Sequence, residues 1–199
     1  MSDRACIVRG MTHMPLLWTD AETTGLDPHS DTLLEYAMAL TDGDFRVVDT
    51  FRVVVGVPGV RTIAMAPNVR QMHEENGLLD EVEQSRVGLR DAERMGLDWA
   101  EAHGLRPDHL RDDTGPYMAG SSPQFDRGFY AVHMPLLARV WHYRNVDMTT
   151  LRYFFGAQKP VAAHRALRDV LDNVADLRRY VDRARACGLL ALPGLAATA

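Results

Sequence analysis

The stretch Leu16-Leu17-Trp18-Thr19-Asp20-Ala21-Glu22-Thr23-Thr24-Gly25 constrains this chain more than any other segment. It opens like a buried strand and ends in two carboxylates one residue apart, just before a glycine. Side chains two positions apart on a strand share a face, so Asp20 and Glu22 point the same way at the strand's end. Two like charges held that close repel unless something positive sits between them. A hard divalent cation, Mg²⁺ or Mn²⁺, is the natural partner because such ions prefer carboxylate oxygens. Taken alone, the commoner meaning of an Asp-x-Glu spacing is two solvated acids at a strand end.

The rest of the pattern places this strand in a sheet. The runs TLLEYAMALTD and FRVVDTFRVVV read as two further strands, with Gly43-Asp44 between them as a hairpin turn. From Asn68 to about His103 the spacing of Met, Leu and Val is helical. PYMAG reads as a fourth strand, FDRGFYAVHMPLLARV as a helix interrupted near Pro135, and NVDMTT as a short strand running into a helix cap. Leu167, Val170, Leu171, Val174, Leu177 and Val181 mark a last amphipathic helix. Strands followed by helices within 199 residues predict one α/β or α+β domain over 14–187. A flexible N-terminal arm over 1–13 and a loosely ordered tail over 188–199 flank it.

Composition narrows the partners. The formal net charge is −5, so the chain does not advertise the basic face that grips long nucleic acid. Two cysteines near opposite ends make neither a disulfide framework nor a metal knuckle. No apolar run is long enough for a membrane span or a signal peptide, which predicts an intracellular, cytoplasmic protein with no membrane partner.

Three further residues complete a set. Asp126 follows a predicted strand and opens a predicted helix, where a lone Asp is most simply an N-cap. His164 and Asp169 lie five residues apart around the start of the last helix. That spacing does not share a helical face, but both can point into one cavity if His164 precedes the first turn. Asp20, Glu22, Asp126 and Asp169 can hold two divalent metal ions about 3.5–4 Å apart, the arrangement that serves in-line attack on a phosphodiester. A histidine titrating near neutrality can take the attacking water's proton.

In that order the residues resemble the DEDDh class of 3′-to-5′ exonucleases, with DAETTGLDP, Asp31 and Glu35 similar to its first motif. HMPLLARVWHYRNVDMTTLR and GSSPQFDRGF resemble the oligoribonuclease branch, and the likeness covers roughly residues 15–185. The resemblance implies a ribonuclease H-like fold, a central mixed β-sheet of about five strands flanked by α-helices. It implies an exonuclease that degrades short oligoribonucleotides to nucleoside 5′-monophosphates. The implied cofactors are two Mg²⁺ or Mn²⁺ ions on Asp20, Glu22, Asp126 and Asp169, with His164 as general base.

Substrate contacts follow the same likeness. Tyr143 and Arg144 would reach the partner subunit's site in a homodimer, Ser122 and Thr149 would contact phosphate, and His73 would bind substrate. Ala21 and Thr23 occupy substrate-facing positions where the branch has Leu and Met. DAETTG is therefore closer to the DNA-proofreading type, and a DNA-directed or dual-specificity exonuclease is the alternative. A non-catalytic nucleic-acid-binding relative would be expected to lose some of the acids, and all are present.

Overall fold

A computed structural model of the chain describes residues 16–107, 115–158 and 162–188. The N-terminal arm expected over 1–13, and all but Gly188 of the expected tail, lie outside the described residues. The elements are β1 (Leu16–Thr23), β2 (Leu33–Thr41), β3 (Val47–Val54), α1 (Pro67–Glu75), α2 (Leu78–Gln84) and α3 (Leu89–Ala102). They continue as β4 (Tyr117–Gly120), α4 (Pro123–His133), β5 (His142–Asp147), α5 (Met148–Phe155) and α6 (Ala166–Ala186). Among the described residues, no helix is long and apolar enough to cross a membrane.

The five strands form one sheet in the order β3-β2-β1-β4-β5. β1, β2 and β3 are antiparallel neighbours, while β4 and β5 run parallel to β1. The expected mixed sheet flanked by helices is thus the one observed. Its central strands are buried on both sides, which explains why their sequences read as continuous apolar runs.

Alternation along β1 sorts its side chains between two cores. Leu17 and Ala21 join Tyr36, Met38 and Leu40 of β2 against α3, α4 and Trp141. Leu16 and Trp18 join Ala37, Ala39 and Ala119 against α6, through its Val170, Val174 and Leu177. The alanines keep this face of the sheet low, so the long helix can lie close to it. Asp20 and Glu22 have the parity of Leu16 and Trp18. The face that packs on α6 upstream therefore presents the two carboxylates to the start of α6 downstream.

β4 also comes close to β1. A Cβ added at Gly120 would lie 2.6 Å from the carbonyl oxygen of Thr19. Gly120→Ala is expected to destabilise the protein by about 1–3 kcal/mol, since the clash is with backbone that cannot swing aside. Urea denaturation at equilibrium checks this.

The structure refines three sequence expectations. The helical stretch from Asn68 to His103 is three helices, because Gly77 turns the chain at φ 75° and an extended segment separates α2 from α3. The helix expected to break near Pro135 ends at His133 and resumes as a 3₁₀ turn over Leu137–Val140. The last strand begins at His142, before the expected Asn145, and so includes Tyr143 and Arg144. Asp147 then caps α5 by accepting a hydrogen bond from the Thr149 N–H at 2.8 Å.

Candidate active site

Five side chains from three elements and one turn line a single cavity of about 170 Å³: Asp20, Glu22, Asp126, His164 and Asp169. Asp20 and Glu22 come from β1, Asp126 from the first turn of α4, and Asp169 from the first turn of α6. His164 sits two residues before α6 in a left-handed conformation, φ 53°. Side chains five apart could not share a face had the helix begun earlier; the left-handed residue turns the imidazole back toward the carboxylates.

Glu22, His164 and Asp169 each offer one ligand atom, and these atoms lie within 4.8 Å of one another. The acids are crowded together. Burial, followed by Asp169, Glu35 and Asp126, pushes the Glu22 carboxyl up to about 8, although Arg165 opposes this. Burial also pushes Asp126 up to about 8, against hydrogen bonds from the backbone N–H groups of Asp126 and Ala21. Asp20 is raised well above the usual carboxylate range, by burial first and then by Asp126, Glu22, Asp169 and Glu35. A set of hard oxygen donors whose charges repel one another, beside a histidine, fits divalent cations.

These shifts predict how stability depends on pH. Glu22 and Asp126 bind their protons more tightly folded than unfolded, so the folded chain carries more protons between about pH 4 and 8. The stability they contribute is fully present below the ordinary carboxylate pKa and is lost as pH rises through about 8. In a chelator the Tm is therefore expected to fall between about pH 5 and 9, and Mn²⁺ should restore it most at the alkaline end. Thermal scans with and without Mn²⁺ across that range check both signs.

Neighbouring side chains hold the site in place. Asp169 accepts hydrogen bonds from the N–H of Ala163 at 2.9 Å and of Arg165 at 3.2 Å, so it brackets His164. Glu35, fully buried on β2, accepts the Ala166 N–H at 3.1 Å and pairs with Arg52 and Arg165. His73 is also fully buried. Its Nε2 lies 3.0 Å from the Thr23 carbonyl oxygen, which requires a proton on that nitrogen, and its Nδ1 lies 4.0 Å from Glu22. Burial lowers its pKa, with Thr23 opposing and His164 adding to the effect.

The expected substrate contacts divide into two groups. Ala21 lines the cavity, whereas Thr23 turns away and donates its hydroxyl to the Gly25 carbonyl at 2.6 Å. The hydroxyls of Ser122 and Thr149 lie 3.1 Å apart where α4 and α5 begin. Tyr143 and Arg144 lie on the sheet-edge strand β5, outside the cavity lining. Tyr143 is 58% exposed, and the Arg144 guanidinium sits 4.8 Å from the centroid of its ring.

Sequence reasoning missed one group at the cavity wall. Arg152 of α5 is buried and donates to Asp176 at 2.8 Å, Asn173 at 2.7 Å and Ser121 at 2.7 Å. Asn173 carried a signal, because it lies one turn after Asp169 on the same face of α6. Arg152 carried none, since its partners are distant in the chain.

No protein-family model matches the chain. It is 37% identical over 189 residues to an oligoribonuclease of Mycobacterium sp. (strain KMS), covering 90% of this chain and 83% of that one. It is 37% identical over 175 residues to the oligoribonuclease of Mycobacterium tuberculosis (strain CDC 1551 / Oshkosh), covering 83% and 79%. Solved structures share the fold at low identity. E. coli exonuclease I, in a zinc-bound complex with single-stranded DNA, superposes with a TM-score of 0.62 at 14% identity. That match covers 86% of this chain but 41% of the larger one. Cell-death related nuclease 4 superposes with a TM-score of 0.57 at 13% identity, covering 85% and 64%. Its relatives along nearly the whole sequence, and a fold shared with exonucleases that surrounds the acidic cavity, place the chain in the oligoribonuclease family of 3′-to-5′ exonucleases.

Proposed function

We propose that the acidic cavity is the hydrolytic centre and that it removes nucleoside 5′-monophosphates from the 3′ end of short single-stranded RNA. The observation that carries this reading is the convergence of Asp20, Glu22, Asp126, Asp169 and His164 on one cavity, with three of the four carboxyls pushed upward, all by burial and Asp20 and Glu22 also by neighbouring carboxylates. The four acids would hold two divalent cations, Mg²⁺ or Mn²⁺. When bound, such ions polarise the phosphodiester and stabilise charge on the attacking and leaving oxygens.

The chain's own residues do the rest. His164, at the cavity rim, accepts the proton of the attacking water. Asp169 fixes the turn that carries His164 while facing the cavity itself. His73 is sealed from solvent, so we assign it the task of backing Glu22 rather than touching substrate. The Ser122 and Thr149 hydroxyls are available to a phosphate at the cavity's flank. Tyr143 and Arg144 face outward on an edge strand, as they must if they serve the partner subunit's site in a homodimer.

Ala21 favours a second reading. It lines the cavity beside the two β1 carboxylates, and an alanine there offers nothing bulky to wedge between neighbouring bases, so DNA or longer strands could also enter. Purified protein and 5′-labelled RNA and DNA ladders, from dinucleotide to twenty-mer, separate the readings. RNA dinucleotides consumed fastest, with Mn²⁺ present and not with EDTA, is the expected outcome. Equal rates on DNA twenty-mers would establish the second reading. No cleavage of either polymer would overturn both.

A further inference from the structure

His164 adopts a backbone conformation that a residue with a side chain enters only when its surroundings over-determine it. Asp169 supplies part of that restraint from within α6, by accepting the flanking Ala163 and Arg165 N–H groups. The remaining restraint on the peptide of His164 itself comes from across the cavity's edge. Asn76, at the junction of α1 and α2, donates its Nδ2–H to the His164 carbonyl oxygen at 2.6 Å. The same amide's Oδ1 accepts the Leu78 N–H at 3.0 Å, which fixes the orientation of the side chain. The Asn76 carbonyl in turn accepts from Arg165 Nη1 at 3.1 Å. One residue thus grips the chain on both sides of the peptide that follows His164.

The direction of these bonds matters. A carbonyl held by a donor cannot rotate without breaking that bond, and rotation of the His164 peptide would swing the imidazole off the carboxylates. Asp169 offers an oxygen within 4.8 Å of ligand atoms of Glu22 and His164 and is expected to share its oxygens with cations. Asn76 has no such second duty among the described residues, so its hold on His164 persists whatever the cavity contains.

We propose that Asn76 is a positioning residue for His164, holding the imidazole at the cavity rim through the His164 carbonyl. This rests on the assignment of His164 as the general base, and the test separates the two. Asn76→Asp keeps an acceptor for the Leu78 N–H but removes the donor and sets a carboxylate against the carbonyl. Asn76→Ala removes both bonds without adding charge.

In the full-length protein with Mn²⁺ and a short RNA, both variants are expected to lose about 10- to 100-fold in kcat, the usual range for a residue that orients a site group. KM and Mn²⁺ affinity should stay within about threefold of wild type, because neither ligands nor substrate contacts are touched. In protein with isotope-labelled histidine, the ring resonances of His164 should shift or broaden in both variants. In a His164→Ala background, adding Asn76→Asp should cost nothing further in kcat. An unchanged kcat in both variants, or an equal loss with and without His164, overturns the proposal. Should His164→Ala retain full kcat, the base assignment fails instead. The His164 resonances then decide for Asn76, with a shift upholding the positioning role and unchanged signals overturning it.

Discussion

Asp169→Asn is expected to lower kcat by at least about 10³-fold, because it removes several kcal/mol of charge stabilisation from the reacting phosphate. The geometry adds a second effect. Both Asp169 oxygens accept backbone N–H groups that flank His164, and an amide can accept with one end only. The variant therefore loses a charge for cations and loosens the turn that carries the histidine. Two measurements read these separately. Mn²⁺ affinity reports the lost charge, and the His164 ring resonances report the loosened turn. The Tm in chelator should change little, since removing one of several repelling acids offsets the lost bracket. Normal turnover in Asp169→Asn would remove Asp169 from the site.

Arg152→Ala is expected to have the largest effect on stability, about 3 kcal/mol, the lower end of the range for breaking a buried ion pair. Asp176 is buried and takes two of the guanidinium's bonds, while Ser121 and Asn173 take the others. The loss stops short of the upper end because Arg179 still pairs with Asp176 on its exposed side. Denaturant unfolding checks the magnitude. Asp176→Leu combined with Arg152→Met should recover most of the stability, since an apolar pair leaves no buried charge unmatched. Activity should not recover with it, because Ser121 and Asn173 lose the donor that aligns this wall of the cavity.

The particular residues show what a single sequence can and cannot reveal. Asp20 and Glu22 were legible because strand alternation is a local rule, and the structure keeps their parity with Leu16 and Trp18. The mixed sheet was legible from its apolar runs and turns. His164 and Asp169 were legible only conditionally, since their spacing puts them on different faces of a helix unless His164 precedes the first turn, as it does. The left-handed turn that reconciles the spacing is held by Asn76 and Asp169, contacts that no periodicity reports. His73, which the resemblance makes a substrate contact, is fully buried on α1, a depth that a one-sided short helix does not reveal in the sequence. Arg152 was invisible for the related reason that a buried and an exposed arginine look alike until their partners are known.

Crystals grown with Mn²⁺ and a nucleoside 5′-monophosphate, measured at the manganese absorption edge, test the central claim most directly. The account predicts two anomalous peaks inside the cavity, each touching carboxylate oxygens from the set Asp20, Glu22, Asp126 and Asp169, with the nucleotide's phosphate beside them and His164 at the rim. Peaks elsewhere on the surface, or a cavity with none while the nucleotide binds, would contradict it.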